Sequence, residues 1–469
     1  MKKIGLYILA LLLCSSCTDW LTVQPENEIA KDKLFESEDG FWQALNGVYY
    51  SLHKAHGPMG SLTSTAVEYM VNTWNTGTSS MEGRFSNHEY RATSVDNELA
   101  SLFENQYNII AQVNTILGFL EKENQNHILS DQDLKLITAE ALALRAWSHF
   151  DLIRLWGPIP KNIDTKKHYL PYVMTVGSTA KTYVTYGDYM NQLTQDLDSA
   201  ETIFKRYDLI MTHSNKELNA GDGIDGYTRL EYYYRQNHMN YYAVIGLKAR
   251  VALWLGNKDE ALKYANEVKN AVNVDGTKKF TLGKETDIQT GLTTDNAGNT
   301  LKNEHLFSFV ASYFNYDQYI NNIIAPTSQI DNLYNDKNDF RFKLWTLAKD
   351  NDSKKIVGYS TLKYRCYNNL WVPQIRLAEM YLIIMECAPL EEANVAYKEF
   401  CASRGTAYTE LTEINRMSKV VDEYYKEFVA EGQLFFMNKR LSNPKTLWTT
   451  GEMSESQYVL PIPMRESQL

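Results

Sequence analysis

The chain has 469 residues, with hydrophobic residues at 44% and charged residues at 22%, a globular balance that excludes disorder over most of its length. Gly 24 and Pro 11 are too few for a collagen-like or low-complexity polymer. A net charge of −10 with no basic run excludes non-specific phosphate binding, and leaves 32 Tyr, 9 Trp and 17 Phe to be explained by core or binding surface.

Met1-Lys2-Lys3 followed by the apolar run Ile4 to Leu13 has the layout of a secretory leader. Ten apolar residues are too short to span a bilayer, which takes about twenty in a helix. The run exits at Leu13-Cys14-Ser15-Ser16-Cys17, which looks like a bacterial lipobox. Small Ser15 and Ser16 select Cys17 over Cys14 as the lipidated mature N-terminus, making 1–16 the signal peptide. Two or more acyl chains, at about 0.8 kcal/mol per buried CH₂, hold a protein on a membrane. Losing Lys2 and Lys3 takes the charge from −10 to −12. Beyond the leader only Cys366, Cys387 and Cys401 remain, read as buried free thiols with at most one disulfide among them.

From residue 17 onward the chain reads as one mainly α domain of helical hairpins with a loop-rich side. Apolar residues recur at three-and-four spacing over 97–122, and again from a Ser130 cap through Trp147 and Phe150 to a stop at Gly157-Pro158. A second hairpin spans 238–272 and restarts at Asn257-Lys258-Asp259-Glu260. Its stretch LKARVALWLGNKDEALKYANEV resembles a tetratricopeptide repeat, with Ala249, Gly256, Ala261 and Ala265 where two helices approach closely. A third candidate pairs 373–388 with 390–403. Regions 56–95, 157–183, 208–236, 273–370 and 441–469 lack helical period, and loops of that length are commonly functional. The domain therefore divides into an N-terminal helical part (about 17–272), a loop-rich insertion (about 273–370) and a C-terminal helical part (about 371–469).

Several of these stretches resemble the SusD/RagB family of outer-membrane nutrient-binding lipoproteins of the Bacteroidetes. They are the mature start Cys17-Thr18-Asp19-Trp20-Leu21-Thr22-Val23-Gln24-Pro25, FWQALNGVYYSL (41–52) and, most strongly, RAWSHFDLIRLWGPIP (145–160). NDFRF (338–342), VPQIRLAEMYLIIMECA (372–388), YYKEFVAEGQLFFMNKR (424–440) and YVLPIP (458–463) follow in the family's order. Cys401-Ala402-Ser403-Arg404-Gly405 departs from the family's Arg-x-Arg-Ala-Gly. The resemblance implies a helical, repeat-containing lipoprotein that caps a SusC-like TonB-dependent transporter at the cell surface. It would bind a glycan, or a peptide in RagB-like members.

Recognising a sugar without chemistry requires flat aromatic faces and amides to bond hydroxyls. Two irregular segments have that composition: Trp74 flanked by Asn72 and Asn75, and the run containing Tyr313, Tyr316 and Tyr319. Trp147, Phe150 and Trp156 sit at core spacing and are expected to be buried. Glu379, Glu427 and Glu431 are expected to make buried links to Arg376 or Arg440 rather than to form the acid pair of a surface glycosidase, the enzymatic alternative. No metalloprotease, nucleophile-elbow or phosphate-loop motif occurs, the nine histidines are scattered, and no cofactor is expected. Asp222-Gly223-Ile224-Asp225-Gly226 and Asp336-Lys337-Asn338-Asp339 are weakly calcium-like but lack the alternating ligands and terminal Glu of a helix-loop-helix site.

Overall fold

A computed structural model describes residues 32–466 except 178–181, 289–297, 312–313, 315, 317–322, 351, 366–369 and 450. The leader, Cys17, Asp19, Tyr313, Tyr319 and Cys366 lie outside the described residues.

In chain order the N-terminal helices are α1 (Glu38–His56), α2 (Ala66–Tyr69), α3 (Met81–Ser86), α4 (Thr93–Asn126) and α5 (Asp131–Trp156). Two short strands, β1 (His168–Leu170) and β2 (Val184–Thr185), lead into α6 (Tyr186–Tyr207). Then come α7 (Asn215–Leu218), α8 (Tyr241–Trp254) and α9 (Lys258–Lys269). The insertion holds β3 (His305–Ala311), α10 (Thr327–Leu333), β4 (Trp345–Lys349) and β5 (Ile356–Thr361). The chain closes with β6 (Leu370–Arg376), α11 (Leu377–Cys387), α12 (Leu390–Arg404), α13 (Arg416–Phe428), α14 (Leu434–Leu441) and α15 (Glu455–Tyr458).

Three helices form a buried spine. Every residue of α8 is buried, as is all of α11 except Cys387, and α5 is buried almost continuously from Leu136 to Trp156. Helices apolar on all sides must be covered on all sides, and the flanking helices do this with one-sided faces. α1 is one of these, burying Phe41, Trp42, Leu45, Val48 and Leu52. The helical hairpins α4–α5, α8–α9 and α11–α12 form where spacing predicts them. Trp147, Phe150 and Trp156 are buried as expected. Ser130 caps α5, accepting the Asp133 N–H at 3.0 Å. At its far end the buried Lys439 ammonium donates to the Leu155 and Gly157 carbonyls at 3.0 and 2.9 Å, satisfying a helix terminus.

Ala249, Ala261 and Ala265 are fully buried between helices. Gly256 is not a close-approach residue, however. A β-carbon there would meet nothing, and its φ of +75 shows that it serves the left-handed turn between α8 and α9. The true close approach is Gly246, where a β-carbon would stand 2.9 Å from Ile375 and from Leu306 side-chain carbons. That contact seats α8 against the β3–β6 pair.

The third hairpin needs one correction. Residues 373–376 belong to strand β6, antiparallel to β3, and the helix begins only at Leu377. Pro373 disfavours helix for Val372, and the ladder accommodates its missing N–H near a register shift opposite Phe307 and Ser308. The insertion is thus tied to the C-terminal part through sheet pairing.

Gly432 lies between α13 and α14 at φ +73, where a β-carbon would collide with the Leu62 carbonyl. We expect Gly432→Ala to lower unfolding free energy by at least about 2 kcal/mol in urea titrations. Gly276→Ala, also at positive φ (+81) but facing open space, should cost only about 1 kcal/mol.

Candidate ligand-binding surface

The first aromatic segment follows α2 and is folded partly inward. Glu68 is fully buried; it accepts from Thr73 Oγ1 at 2.6 Å and from the Ala430 N–H at 3.1 Å. Burial pushes its carboxyl up to about 7 despite those bonds. Asn72 turns the chain at φ +58, a left-handed conformation that asparagine tolerates.

Trp74 is 3% exposed. Its indole N–H donates to the Ser64 carbonyl at 2.8 Å, and its ring lies 6.4 Å from that of Trp345. This corrects the expectation of an open stacking platform: in this conformation neither face of Trp74 can receive a sugar. The ring instead anchors its loop to the core. Asn75 is exposed, and it bonds the insertion twice. Its N–H donates to the Ile324 carbonyl at 2.7 Å and its amide to the Val357 carbonyl at 3.3 Å.

Tyr316 is buried as well, its hydroxyl donating to the Thr361 carbonyl at 3.1 Å. Loop 72–80 thus meets residues 323–325 and the β4–β5 hairpin on one face, and Tyr316 bonds the end of that hairpin. Trp74 and Tyr316 lie beneath that face rather than on it. Exposed on it are Asn75, Gly77, Thr78 and Ser79, with Leu347, Ile356 and Val357 on the hairpin.

The carboxylates considered for chemistry are all engaged by cations. Glu427 accepts from Arg341 at 2.9 Å, from Arg376 at 2.8 Å and from Arg404 at 3.0 and 2.9 Å. Glu431 accepts from Arg376 at 2.8 Å and Lys363 at 2.6 Å, and Glu304 from Arg376 and Arg404, both at 2.8 Å. Asp339 and Glu423 hold Arg341, with Lys426 at the rim 3.7 Å from Glu423. Five acids thus face five bases in one buried network. Although burial opposes its charge, the three guanidiniums hold the Glu427 carboxyl well below the usual range. Glu379 pairs with Arg250 rather than Arg376, and Arg440 with Glu386.

The carboxylates of the second calcium-like segment are committed elsewhere. Asp339 is already taken by Arg341, and the Asp336 carboxylate accepts the Asn338 N–H at 3.0 Å. Among the described residues no three His, Cys, Asp or Glu come together as a metal requires.

Two concavities were not foreseen from sequence. One, of about 790 Å³, lies between α4 and α5 and is lined by Asn114, Leu117, Phe119, Thr138, Arg145 and Met174. Its guanidinium is spoken for: Arg145 bonds Asp196 at 2.7 and 2.6 Å and Asn114 at 2.9 Å. The other, of about 530 Å³, is lined only by polar side chains around α7 and residues 273–281.

Residues 19–220 match the family model SusD-like_3, described as starch-binding and associating with the outer membrane. The chain also superposes on a SusD superfamily protein of Bacteroides thetaiotaomicron with a TM-score of 0.68 at 18% identity, covering 92% of this chain and 98% of that one. The chain has the fold of the SusD superfamily, and its N-terminal part resembles the SusD-like_3 family. A further SusD-type neighbour is surface glycan-binding protein A from Bacteroides uniformis, with a TM-score of 0.67, 15% identity, and 92% and 98% coverage. SusD-like protein P25 of Formosa agariphila is 25% identical over 165 residues, 34% of this chain. The chain's matches span only 14% and 31% of the length of its curated relatives.

Within this SusD-like fold, the motifs shared by the second half of the chain converge on the buried network. Asp339 and Arg341 come from NDFRF, Arg376 opens RLAE at the end of β6, Arg404 comes from the degenerate CASRG, and Glu427 and Glu431 from EFVAEG. These family-like residues hold the fold together and do not line the loop face.

Proposed function

We propose that the protein is a non-enzymatic receptor, lipid-anchored through Cys17 on the outer face of the outer membrane, that binds a glycan and passes it to a SusC-like TonB-dependent transporter. The leader, the outer-membrane association of the family and a glycan-binding structural neighbour support this reading. The ligand face is the junction of loop 72–80 with the insertion. One observation carries that choice: the Asn75 N–H bonds the Ile324 carbonyl at 2.7 Å, joining the first sugar-suited segment to the insertion five residues beyond Tyr319.

In this reading Asn75 contacts ligand together with Tyr313 and Tyr319, which bracket the insertion segment in sequence. Asn72, Trp74 and Tyr316 set the loop height from below. The three carboxylates weighed for hydrolysis, Glu379, Glu427 and Glu431, are each paired with buried arginines, which favours binding over hydrolysis.

Affinity electrophoresis against a glycan panel, followed by titration calorimetry, tests the proposal. Asn75→Ala should weaken the best ligand about 2- to 10-fold, the worth of one hydrogen bond, with an unchanged melting temperature. Tyr313→Ala should weaken it by a similar factor through lost stacking. Retention of no glycan on any gel, or unaltered affinity in both variants, would remove this face from consideration.

A further inference from the structure

The cleft of about 530 Å³ around α7 is built unlike a hydrophobic ligand pocket, since no apolar side chain lines it. Three of its asparagines have one half of the amide committed and the other half idle. The Asn215 NH₂ donates to the Lys279 carbonyl at 3.0 Å, and that of Asn219 to Gln236 Oε1 at 3.0 Å. The Asn273 NH₂ donates to Thr277 Oγ1 at 3.0 Å. Because each NH₂ faces an acceptor, each orientation is fixed. Gln236 is fixed in turn by donating to the His305 carbonyl at 2.7 Å. The oxygens of Asn215, Asn219 and Asn273 are left buried with no donor among the described residues. A buried acceptor without a donor is costly, so a molecule presenting hydroxyl groups is rewarded there.

Charge narrows the choice. Lys216, Lys278, Lys279 and Lys302 border the cleft against Asp275 alone, on a chain whose net charge is −10. Lys279 is occupied, donating to the His213 carbonyl at 2.9 Å, and Lys302 lies 3.7 Å from the centre of the Trp371 ring. Lys216 and Lys278 remain exposed at the edge. An ammonium ligand is repelled by this set, and a phosphate dianion has a single hydroxyl to offer three carbonyl oxygens. A sugar ring carrying a carboxylate satisfies both demands, and the volume is within the range of small-molecule sites.

We infer that this cleft is a binding subsite for an acidic monosaccharide unit of the uronate class, its hydroxyls bonding Asn215, Asn219 and Asn273 and its carboxylate facing Lys216 and Lys278. The subsite is separate from the loop face and does not depend on it.

Ligand-observed NMR on the full-length mature protein tests this with glucuronate, glucose and inorganic phosphate. Glucuronate should bind about tenfold more tightly than glucose at low salt. Lys216→Glu with Lys278→Glu, both at exposed positions, should abolish that preference, and Asn219→Ala with Asn273→Ala should weaken glucuronate at least tenfold. Asn75→Ala should leave glucuronate binding intact. Absence of glucuronate binding, equal affinity for glucose, displacement by equimolar phosphate, or indifference to the lysine changes would each overturn the proposal.

Discussion

Glu427→Ala is expected to produce the largest loss of stability of any single substitution in this chain. Its carboxylate accepts four charge-assisted bonds from Arg341, Arg376 and Arg404, all three guanidiniums buried. Removing it leaves three cations in the interior with one shared counter-charge missing. Breaking a buried pair from one side costs roughly 3–5 kcal/mol, and here three partners are affected together. Urea unfolding followed by tryptophan fluorescence should show a midpoint lowered by at least that equivalent, or no cooperative transition at all. Glu427→Gln should lie between, since it keeps the shape and loses the charge. Glu89→Ala, which breaks the exposed pair with Arg84, is the control and should leave the midpoint unchanged. A Glu427→Ala midpoint indistinguishable from wild type would mean that the network adds nothing to folding.

Mild acid is expected to destabilise the fold before its salt bridges titrate. His149 and His305 are fully buried, and desolvation pushes each from 6.5 down to about 3, despite backbone hydrogen bonds that favour the charged form. The Val173 N–H donates to His149 Nε2 at 3.1 Å, and His149 Nδ1 lies 3.0 Å from the Tyr189 hydroxyl. Those partners assign a neutral ring protonated on Nδ1. The unfolded chain therefore takes up two protons, from pH 6.5 downward, that the folded chain refuses until about pH 3. Their contribution is complete above pH 6.5 and is lost as pH falls towards 3, by roughly 5 kcal/mol for each ring.

Glu68 works in the opposite sense. Its carboxyl, raised from 4.5 to about 7, is protonated in the folded chain first, so stability falls as pH rises through that interval. Between pH 4.5 and 6.5 the two histidines outweigh it by one proton, so these three groups alone raise unfolding free energy with pH by about 1.4 kcal/mol per unit, and His53 and His88, also lowered by burial, add to that slope. Glu68→Gln should steepen that slope, and His149→Phe should flatten it. A melting temperature flat from pH 7 to pH 5 would contradict the assignment of both histidines.

Much of the architecture was readable from side-chain spacing. The period of α4, α5, α8 and α9 marks their faces, and the rings of 145–156 fall at core positions because one helix reports its own geometry. Periodicity does not report what covers a face from elsewhere in the chain. Residues 373–376 look like the start of α11 until β3, more than sixty positions earlier in the numbering, pairs with them. Val372-Pro373 was the local warning. Trp74 sits among amides in a loop, the composition of a sugar platform, yet Ser64 and Trp345 enclose it. Burial of a loop ring depends on partners that composition cannot name. The amide cleft was hidden for the same reason. Asn215 and Asn219 are four apart on a short helix, but Asn273 reaches them only through the fold.

The ten charges around Glu427 also bear on when the chain can become compact. Their members are scattered from residue 304 to residue 431, so a growing polypeptide has only Glu304 and Asp339 of this network to set against Arg341, Arg376 and Arg404 until its closing helices supply Glu423, Glu427 and Glu431. A product ending before Glu423 would keep those guanidiniums only partly neutralised. Compaction of this half of the fold would then follow completion of the chain, with the last-made glutamates as its timer.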